Sequence, residues 1–193
     1  NITNFGSIFA PLGNVSGGGG GGNGTNGTGN INVTIGESLS ITLIDNLVDF
    51  GTGYVTSGYV YADIDSNSTD TGNWTSTANG ADGWPSNTDY MTLENNGNVD
   101  ANVNISAGST AATFIGGTNP AQWYAAKNNE TGSCEGTLQS TYTSLLTTQT
   151  VLCTDLQTES TNDAIDIMFK LRIPSDATPT AKSNTITFTA VQA

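Results

Sequence analysis

The chain has 193 residues, with 17 acidic side chains, 4 basic ones and no histidine, so its formal net charge is −13 at pH 7. Four cations cannot form the basic surface that nucleic-acid binding requires, which excludes that class of partner. The missing imidazole excludes Ser-His-Asp and Cys-His nucleophile systems. No apolar run approaches the roughly 18–20 residues of a membrane helix. Since no catalytic motif stands out either, we expect a non-enzymatic protein.

The first 30 residues divide into two segments of different character. Residues 1–13 (NITNFGSIFAPLG) have the pattern of an apolar extended strand, whereas residues 14–30 hold six consecutive glycines among Asn, Thr and Ser. The second composition is typical of a flexible tether. The large apolar residues of the strand fall into two strand parities, Phe5 with Phe9 and Ile8 with Leu12, and the parity does not decide which pair is the anchor.

An apolar strand on a long tether has two interpretations. It folds back onto its own domain, or it enters a groove in a neighbouring subunit and completes that sheet. Strand addition covers a sheet edge that is otherwise prone to aggregation. A head-to-tail contact that does not close on itself propagates into an open filament. We favour insertion into the neighbour, with residues 1–13 as a donor strand.

From residue 31 onward the pattern is that of an all-β domain. Alternation of apolar and polar residues predicts antiparallel strands that are packed on one face and wet on the other. The alternating runs are 31–35, 39–43, 99–105, 165–173 and 186–190. Several such strands separated by Gly, Asn and Pro turns predict a β-sandwich head domain over residues 31–193.

Shorter signals predict further elements. The turn sequence Asn95-Asn96-Gly97-Asn98 predicts a β-hairpin that pairs a strand at 90–94 with one at 98–106. Asn119 followed by Pro120 predicts the start of a short helix over 119–126. Weaker strand signals lie near 53–61 and 148–156.

Cys134 and Cys153 are the only cysteines of the chain. Two cysteines in an acidic, Thr- and Asn-rich chain predict one disulfide formed in an oxidising compartment. The alternative is two buried free thiols. A disulfide that closes a loop of this length would stabilise the fold by about 3 kcal/mol. We therefore expect an extracellular, cell-surface location, and a removed signal peptide would account for a chain that begins at Asn1.

Asn-x-Ser/Thr sequons are somewhat more frequent than the composition would give by chance. They predict covalently attached N-glycans at several positions of an extracellular protein. The candidate residues are Asn1, Asn14, Asn23, Asn26, Asn32, Asn67, Asn73, Asn104 and Asn129.

The segment 63–70 is a candidate calcium-binding loop. Its Asp-x-Asp-x-Asn spacing supplies alternate oxygen ligands, and calcium takes six to eight hard oxygens. The glycine and the final glutamate of an EF-hand loop are missing, so the match is partial. The alternative is a solvated acidic turn. The predicted ligands are Asp63, Asp65, Asn67 and Asp70.

The aromatic residues allow two interpretations. They form a platform on which sugars stack, or they serve core and inter-subunit packing, which we favour. The set is Trp74, Trp84, Trp123, Tyr54, Tyr59, Tyr61 and Tyr124.

Four stretches resemble the TasA/camelysin-like secreted β-sandwich proteins, and in particular their archaeal relatives that build pili, threads and tubular filaments. They are Phe50-Gly51, the run MTLENNGNVDANVNI at 91–105, FKLRIPSDA at 169–177 and NTITFTA at 184–190. The resemblance implies a jelly-roll head, polymerisation by donor-strand complementation and, in some relatives, calcium between strands or subunits. The six-glycine tether and the cysteine pair do not map onto that family.

Together these inferences predict a structural subunit of an extracellular filament that serves adhesion, biofilm cohesion or cell-to-cell connection. Its partners would be further copies of itself, joined head to tail, and its own N-glycans. The alternative is a monomeric secreted carbohydrate-binding or adhesin module that uses the tyrosines and tryptophans.

Overall fold

The computed structural model describes residues 32–67, 81–82, 84 and 88–193. The predicted donor strand and tether, residues 1–13 and 14–30, therefore lie outside the described residues. The calcium candidate Asp70, Trp74 and five of the sequons also lie outside them, namely Asn1, Asn14, Asn23, Asn26 and Asn73. The compact unit built by the described residues spans Gly36–Ala193.

The alternating runs form antiparallel strands, as the pattern predicts. In chain order the strands are β1 (Ile41–Asp45), β2 (Tyr54–Val55), β3 (Tyr61–Asp65), β4 (Ala81–Asp82), β5 (Met91–Asn95), β6 (Ala101–Ala107), β7 (Ala121–Asn128), β8 (Thr143–Ser144), β9 (Thr150–Leu156), β10 (Ala164–Pro174) and β11 (Ile186–Gln192). One short helix, α1, spans Ala111–Phe114 among the described residues, and Thr110 caps it by accepting a hydrogen bond from the Thr113 N–H.

The strands form two main sheets. The large sheet has the order β1-β5-β10-β7-β8, and β3 pairs with the second half of β10, beyond the part that pairs with β5. The small sheet has the order β11-β6-β9, and β2 pairs with β4 in a separate ribbon. The prediction of an all-β antiparallel sandwich is confirmed.

The core lies between the apolar faces of the two sheets. Along β6 every second residue is buried, which directs Val103 and Ile105 inward and the intervening asparagines outward. Leu93, Ile165 and Ile167 of the large sheet belong to the same buried cluster. Each fully buried Val, Leu or Ile contributes about 1.5–3 kcal/mol, so this cluster is the main source of stability.

A second, smaller cluster lies near β3 and α1. Ile64 of β3 and Leu171 of β10 form it together with Trp84 and Ile115. Phe50, at the end of the loop after β1, packs against both clusters.

The predicted disulfide is confirmed. Cys134 and Cys153 are bonded, with their Cα atoms 6.1 Å apart. Cys153 lies in β9 and is fully buried, and isolated bridges join Cys134 to Leu156 and Leu138 to Cys153. The bond therefore attaches the segment around residues 134–138 to the edge of β9 opposite the one that pairs with β6.

The predicted hairpin at residues 95–98 is wrong. β5 pairs within the large sheet and β6 within the small one, so the connection crosses from one sheet to the other. The buried Asn95 amide donates to the carbonyls of Val99 at 3.0 Å and Leu156 at 3.1 Å, which holds this crossing in place. A side chain at Gly97 would collide with the Ser38 carbonyl oxygen, so this glycine allows a close backbone approach.

The predicted helix over 119–126 is also wrong, because residues 121–128 form β7. The segment is rich in alanine, which favours a helix locally. It pairs with β10 along its whole length, however, and buries Tyr124 and Ala126 in the core. Non-local pairing and burial therefore override the local propensity.

The predicted strand over 31–35 is wrong for its described part, since residues 32–40 carry no strand. The strand predicted at 39–43 begins two residues later, at Ile41. An alternating run forms a stable strand only where a neighbouring strand pairs with its backbone N–H and C=O groups. Sequence alone does not show which runs have such a neighbour.

Candidate functional site: an apolar groove between two sheet edges

β1 and β11 each present one unpaired edge. Among the described residues β1 pairs only with β5, and β11 pairs only with β6. A strand edge with unpaired N–H and C=O groups is a template for pairing with another strand. β1 is five residues long and β11 is seven, so both edges could pair with one further strand of ordinary length.

An apolar groove lies between these two edges. Its narrow part has a volume of about 300 Å³ and is lined by Ile41 and Leu43 of β1, Leu93 of β5, and Ile186 and Phe188 of β11. Five of the six residues that line this part are apolar, the sixth being Thr187 of β11, whereas most of the outward-facing residues on these strands are polar. The groove therefore exposes the inner surface of the sandwich along one side.

A wider cavity of about 1170 Å³ adjoins this narrow part. Leu43 and Ile186 line both of them. Leu47 also lines the wide part and is 63% exposed. The cavity walls include members of both core clusters, among them Phe50, Trp84, Ile115, Leu145, Phe169 and Leu171. A volume of this size could hold several large side chains.

The sequence predicts that a groove receives the donor strand, but it does not locate that groove. Its walls come from β1, β10, β11 and the segments 46–55 and 177–186, which are far apart in sequence. The available signal was indirect, namely that the apolar runs of β1 and β11 are as regular as those of the central strands. Sequence alone cannot show that these two strands end their sheets on the same side.

Of the calcium candidates, Asp63 lies on the outward face of β3, because the alternate residues Ala62 and Ile64 are buried in the second cluster. Its two carboxylate oxygens accept hydrogen bonds from Arg172, from Nε at 2.8 Å and from Nη2 at 2.9 Å. The hydrogen bond with Asp63 raises the pKa of Arg172 above its ordinary value. Any calcium ion at Asp63 would compete with this ion pair.

Asp65 is almost fully buried, and its carboxylate accepts hydrogen bonds from the Tyr142 hydroxyl and, at 2.8 Å, from the backbone N–H of Asn67. The side-chain oxygen of Asn67 accepts from the Tyr90 hydroxyl at 3.0 Å. Within the described ranges no group of three or more Asp, Glu, His or Cys side chains is arranged to hold a metal ion. Calcium binding at this loop stays a prediction.

The aromatic residues are split between core and surface. Tyr124 and Trp84 are buried in the two clusters, which agrees with packing roles. Trp123 is half-buried, and it faces away from the core because its neighbours in β7 are buried in it. The exposed tyrosines are Tyr54, Tyr59 and Tyr61.

The described sequons differ in the environment of their side chains. Asn32 is exposed, and Asn104 is half-buried on the outward side of β6. Asn129 is exposed, but its amide nitrogen donates to Asp166 at 2.8 Å, and the Asn67 side chain is hydrogen-bonded as described above. A glycan needs the amide nitrogen, which in Asn129 already donates to Asp166, so Asn32 and Asn104 are better acceptors than Asn129 in the folded chain.

Comparison with protein-family models, with curated protein sequences and with solved structures found no match to this chain. No helix in the described part of the chain has the length and apolar character needed to span a membrane.

Proposed function

We propose that this protein is a structural subunit of an extracellular filament, in which residues 1–13 of one copy enter the groove between β1 and β11 of the next. The observation that carries the proposal is the groove itself, since two strand edges that no described strand covers flank largely apolar walls. A strand placed there would join the two sheets at their open side and complete the core.

Two kinds of interaction would stabilise an inserted strand. The backbone of the inserted strand would bond to both free edges, which gives affinity without sequence specificity. Its inward side chains would fill the groove, and each fully buried large apolar side chain contributes about 1.5–3 kcal/mol. Residues 1–13 carry such side chains in both parities, Phe5 with Phe9 and Ile8 with Leu12, so the energetics alone leave the anchoring pair open.

The chemistry of the chain agrees with an extracellular role. A disulfide persists in oxidising compartments. Each subunit receives a strand and donates one, so the contact is heterologous and propagates into a filament. Such a filament would serve adhesion, biofilm cohesion or cell-to-cell connection, the roles that the resemblance to archaeal thread and pilus subunits implies.

Negative-stain electron microscopy tests the proposal with four proteins: the parent, a variant that lacks residues 1–13, and the matched double variants F5Q/F9Q and I8Q/L12Q. We expect filaments from the parent and none from the deletion variant. One double variant should lose filaments and the other keep them, which would identify the anchoring parity. Discrete particles from the parent would overturn the filament proposal, and filaments from the deletion variant would overturn the donor strand.

A further inference from the structure

Three of the four basic residues of the chain lie on one surface. Lys127 of β7 follows the buried Ala126, and Lys170 and Arg172 of β10 stand on either side of the buried Leu171, so all three point away from the core on the outward face of the large sheet. The fourth, Lys182, is exposed in the segment between β10 and β11. In a chain of net charge −13 this segregation gives the outward face a local electrostatic character unlike that of the whole molecule.

Aromatic rings accompany all three cations. Lys127 Nζ lies 3.9 Å from the ring centre of Tyr90, and Arg172 Cζ lies 3.9 Å from that of Tyr61. Lys170 Nζ lies 6.0 Å from the ring centres of both Trp123 and Tyr142. The face therefore combines cations with flat apolar rings.

Two of these cations form ion pairs with carboxylates of the described residues. Asp166 pairs with Lys127 at 3.7 Å, and Asp63 pairs with Arg172 at 2.8 Å. Lys170 forms no ion pair with any residue that the structure describes. Asp65 lies opposite it in the register of β3 and β10, but that carboxylate is buried and bonded to the Tyr142 hydroxyl.

Trp123 connects the two cations of β10. It lies opposite Lys170 in the register of β7 and β10, and its ring centre is 5.6 Å from Arg172 Cζ. The two-point bond to Asp63 fixes the plane of the Arg172 guanidinium. The ring and both cations are thus held on paired strands, which keeps their spacing constant.

We propose that this face binds an acidic carbohydrate, a sugar unit that carries a carboxylate, as uronic acids do. The carboxylate would bind the Lys170 ammonium through charge-assisted hydrogen bonds. The C–H face of the pyranose would stack on Trp123, whose ring offers a large rigid apolar surface. This inference is independent of the filament proposal, since the outward face and the groove share none of these residues.

Local charges decide whether an anion can bind to so acidic a protein. At physiological ionic strength, charges more than about 8 Å apart are largely screened. Asp63 and Asp166 form ion pairs with Arg172 and Lys127. The Asp65 carboxylate is buried, so water screens its charge less, and it accepts hydrogen bonds from the Tyr142 hydroxyl and the Asn67 N–H. Among the described residues of this face, Lys170 is the cation that forms no ion pair, so its ammonium is the group that can bind an incoming carboxylate. A neutral sugar would have the stacking contact but would leave the ammonium without an anion.

Isothermal titration calorimetry tests the site with tetramers of galacturonic, glucuronic and mannuronic acid, and with a galactose tetramer as the neutral probe. The parent should bind at least one acidic tetramer, more weakly as salt is raised, and should not bind the neutral one. K170M should lower that affinity by about tenfold or more, the usual effect of losing one charged hydrogen bond. K182M removes the same charge from another surface and should bind as the parent does.

Binding of none of the acidic tetramers by the parent would overturn the proposal. Equal losses in K170M and K182M would also overturn it, because they would show a general charge effect. Sedimentation velocity tests separately whether a second copy of the chain binds to this face in place of a carbohydrate. If the variant that lacks residues 1–13 self-associates, K170M abolishes that association and the parent binds no acidic tetramer, the face contacts a second copy of the chain and the carbohydrate proposal fails. Thermal melts of both variants should match that of the parent.

Discussion

Among single residues, Asp163 shows most directly how burial governs charge in this acidic chain. The side chain is buried just before β10, close to the carboxylates of Glu94 and Glu130. Loss of solvation raises the pKa of Asp163, and the two neighbouring negative charges raise it further. A carboxyl group whose pKa is higher in the folded state stabilises the fold only while it is protonated. Its contribution is lost as the pH rises through the folded-state pKa.

We therefore expect Asp163→Asn to raise the urea midpoint of unfolding at neutral pH, and to lose this advantage at an acid pH where Asp163 is protonated. Asp176→Asn is the matched control with the opposite sign. Hydrogen bonds from Thr118, at 2.6 Å from its hydroxyl and 2.8 Å from its N–H, lower the pKa of Asp176. The loss in that variant should be greatest at neutral pH and fade as the pH falls through the lowered pKa. A neutral-pH destabilisation by Asp163→Asn would contradict this account.

Residue-level predictions from sequence succeeded where the chemistry is local. Two cysteines at a suitable spacing have a single pairing, so the disulfide could be predicted. Asn95 shows where prediction from the local sequence fails. The sequence Asn95-Asn96-Gly97-Asn98 is a turn signal, yet its first asparagine is buried and bonded to the carbonyl of Leu156, a residue that sequence does not place nearby. Its role depends on which sheet each neighbouring strand joins.

At the scale of elements, long alternating runs were predicted well and short or mixed ones were not. β10 was predicted over 165–173 and spans Ala164–Pro174, because its apolar face is continuous. β7 was assigned to a helix because its alanines and tryptophan carry no strict alternation. Its identity comes from pairing with β10 across a large separation in sequence. Pairings of that kind are the part of a fold that local pattern does not contain.

The disulfide stabilises β9 and the segment bonded to it. We expect the double variant C134A/C153A to lose about 3 kcal/mol of unfolding free energy, because the unfolded chain regains the entropy of the closed loop. Urea denaturation would measure the loss, with a steeper dependence on urea if the freed chain exposes more surface. Reductant should destabilise the parent by a similar amount and leave the double variant unchanged. A variant as stable as the oxidised parent would show that packing alone holds the segment in place.

At the scale of the whole molecule, the groove makes a prediction that does not require filaments. The variant that lacks residues 1–13 should bind a synthetic peptide of that sequence. A ligand that binds only the folded state at 100 times its dissociation constant stabilises it by about 2.7 kcal/mol. The melting temperature should therefore rise with peptide concentration. A peptide with Phe5, Ile8, Phe9 and Leu12 replaced by asparagine should have no effect, because it keeps the backbone donors but cannot fill the groove.

Two neighbouring residues of β1 locate the binding site. Leu43 lines both parts of the groove, whereas Ile44 is 60% exposed and lines neither. In the variant that lacks residues 1–13, the further substitution L43N should abolish the peptide-induced rise in melting temperature, and I44N should leave it intact. Equal responses of the two would show that the peptide binds elsewhere. The pair separates binding in the groove from general adhesion of an apolar peptide, because both substitutions exchange one branched apolar residue of the same edge strand for the same polar one.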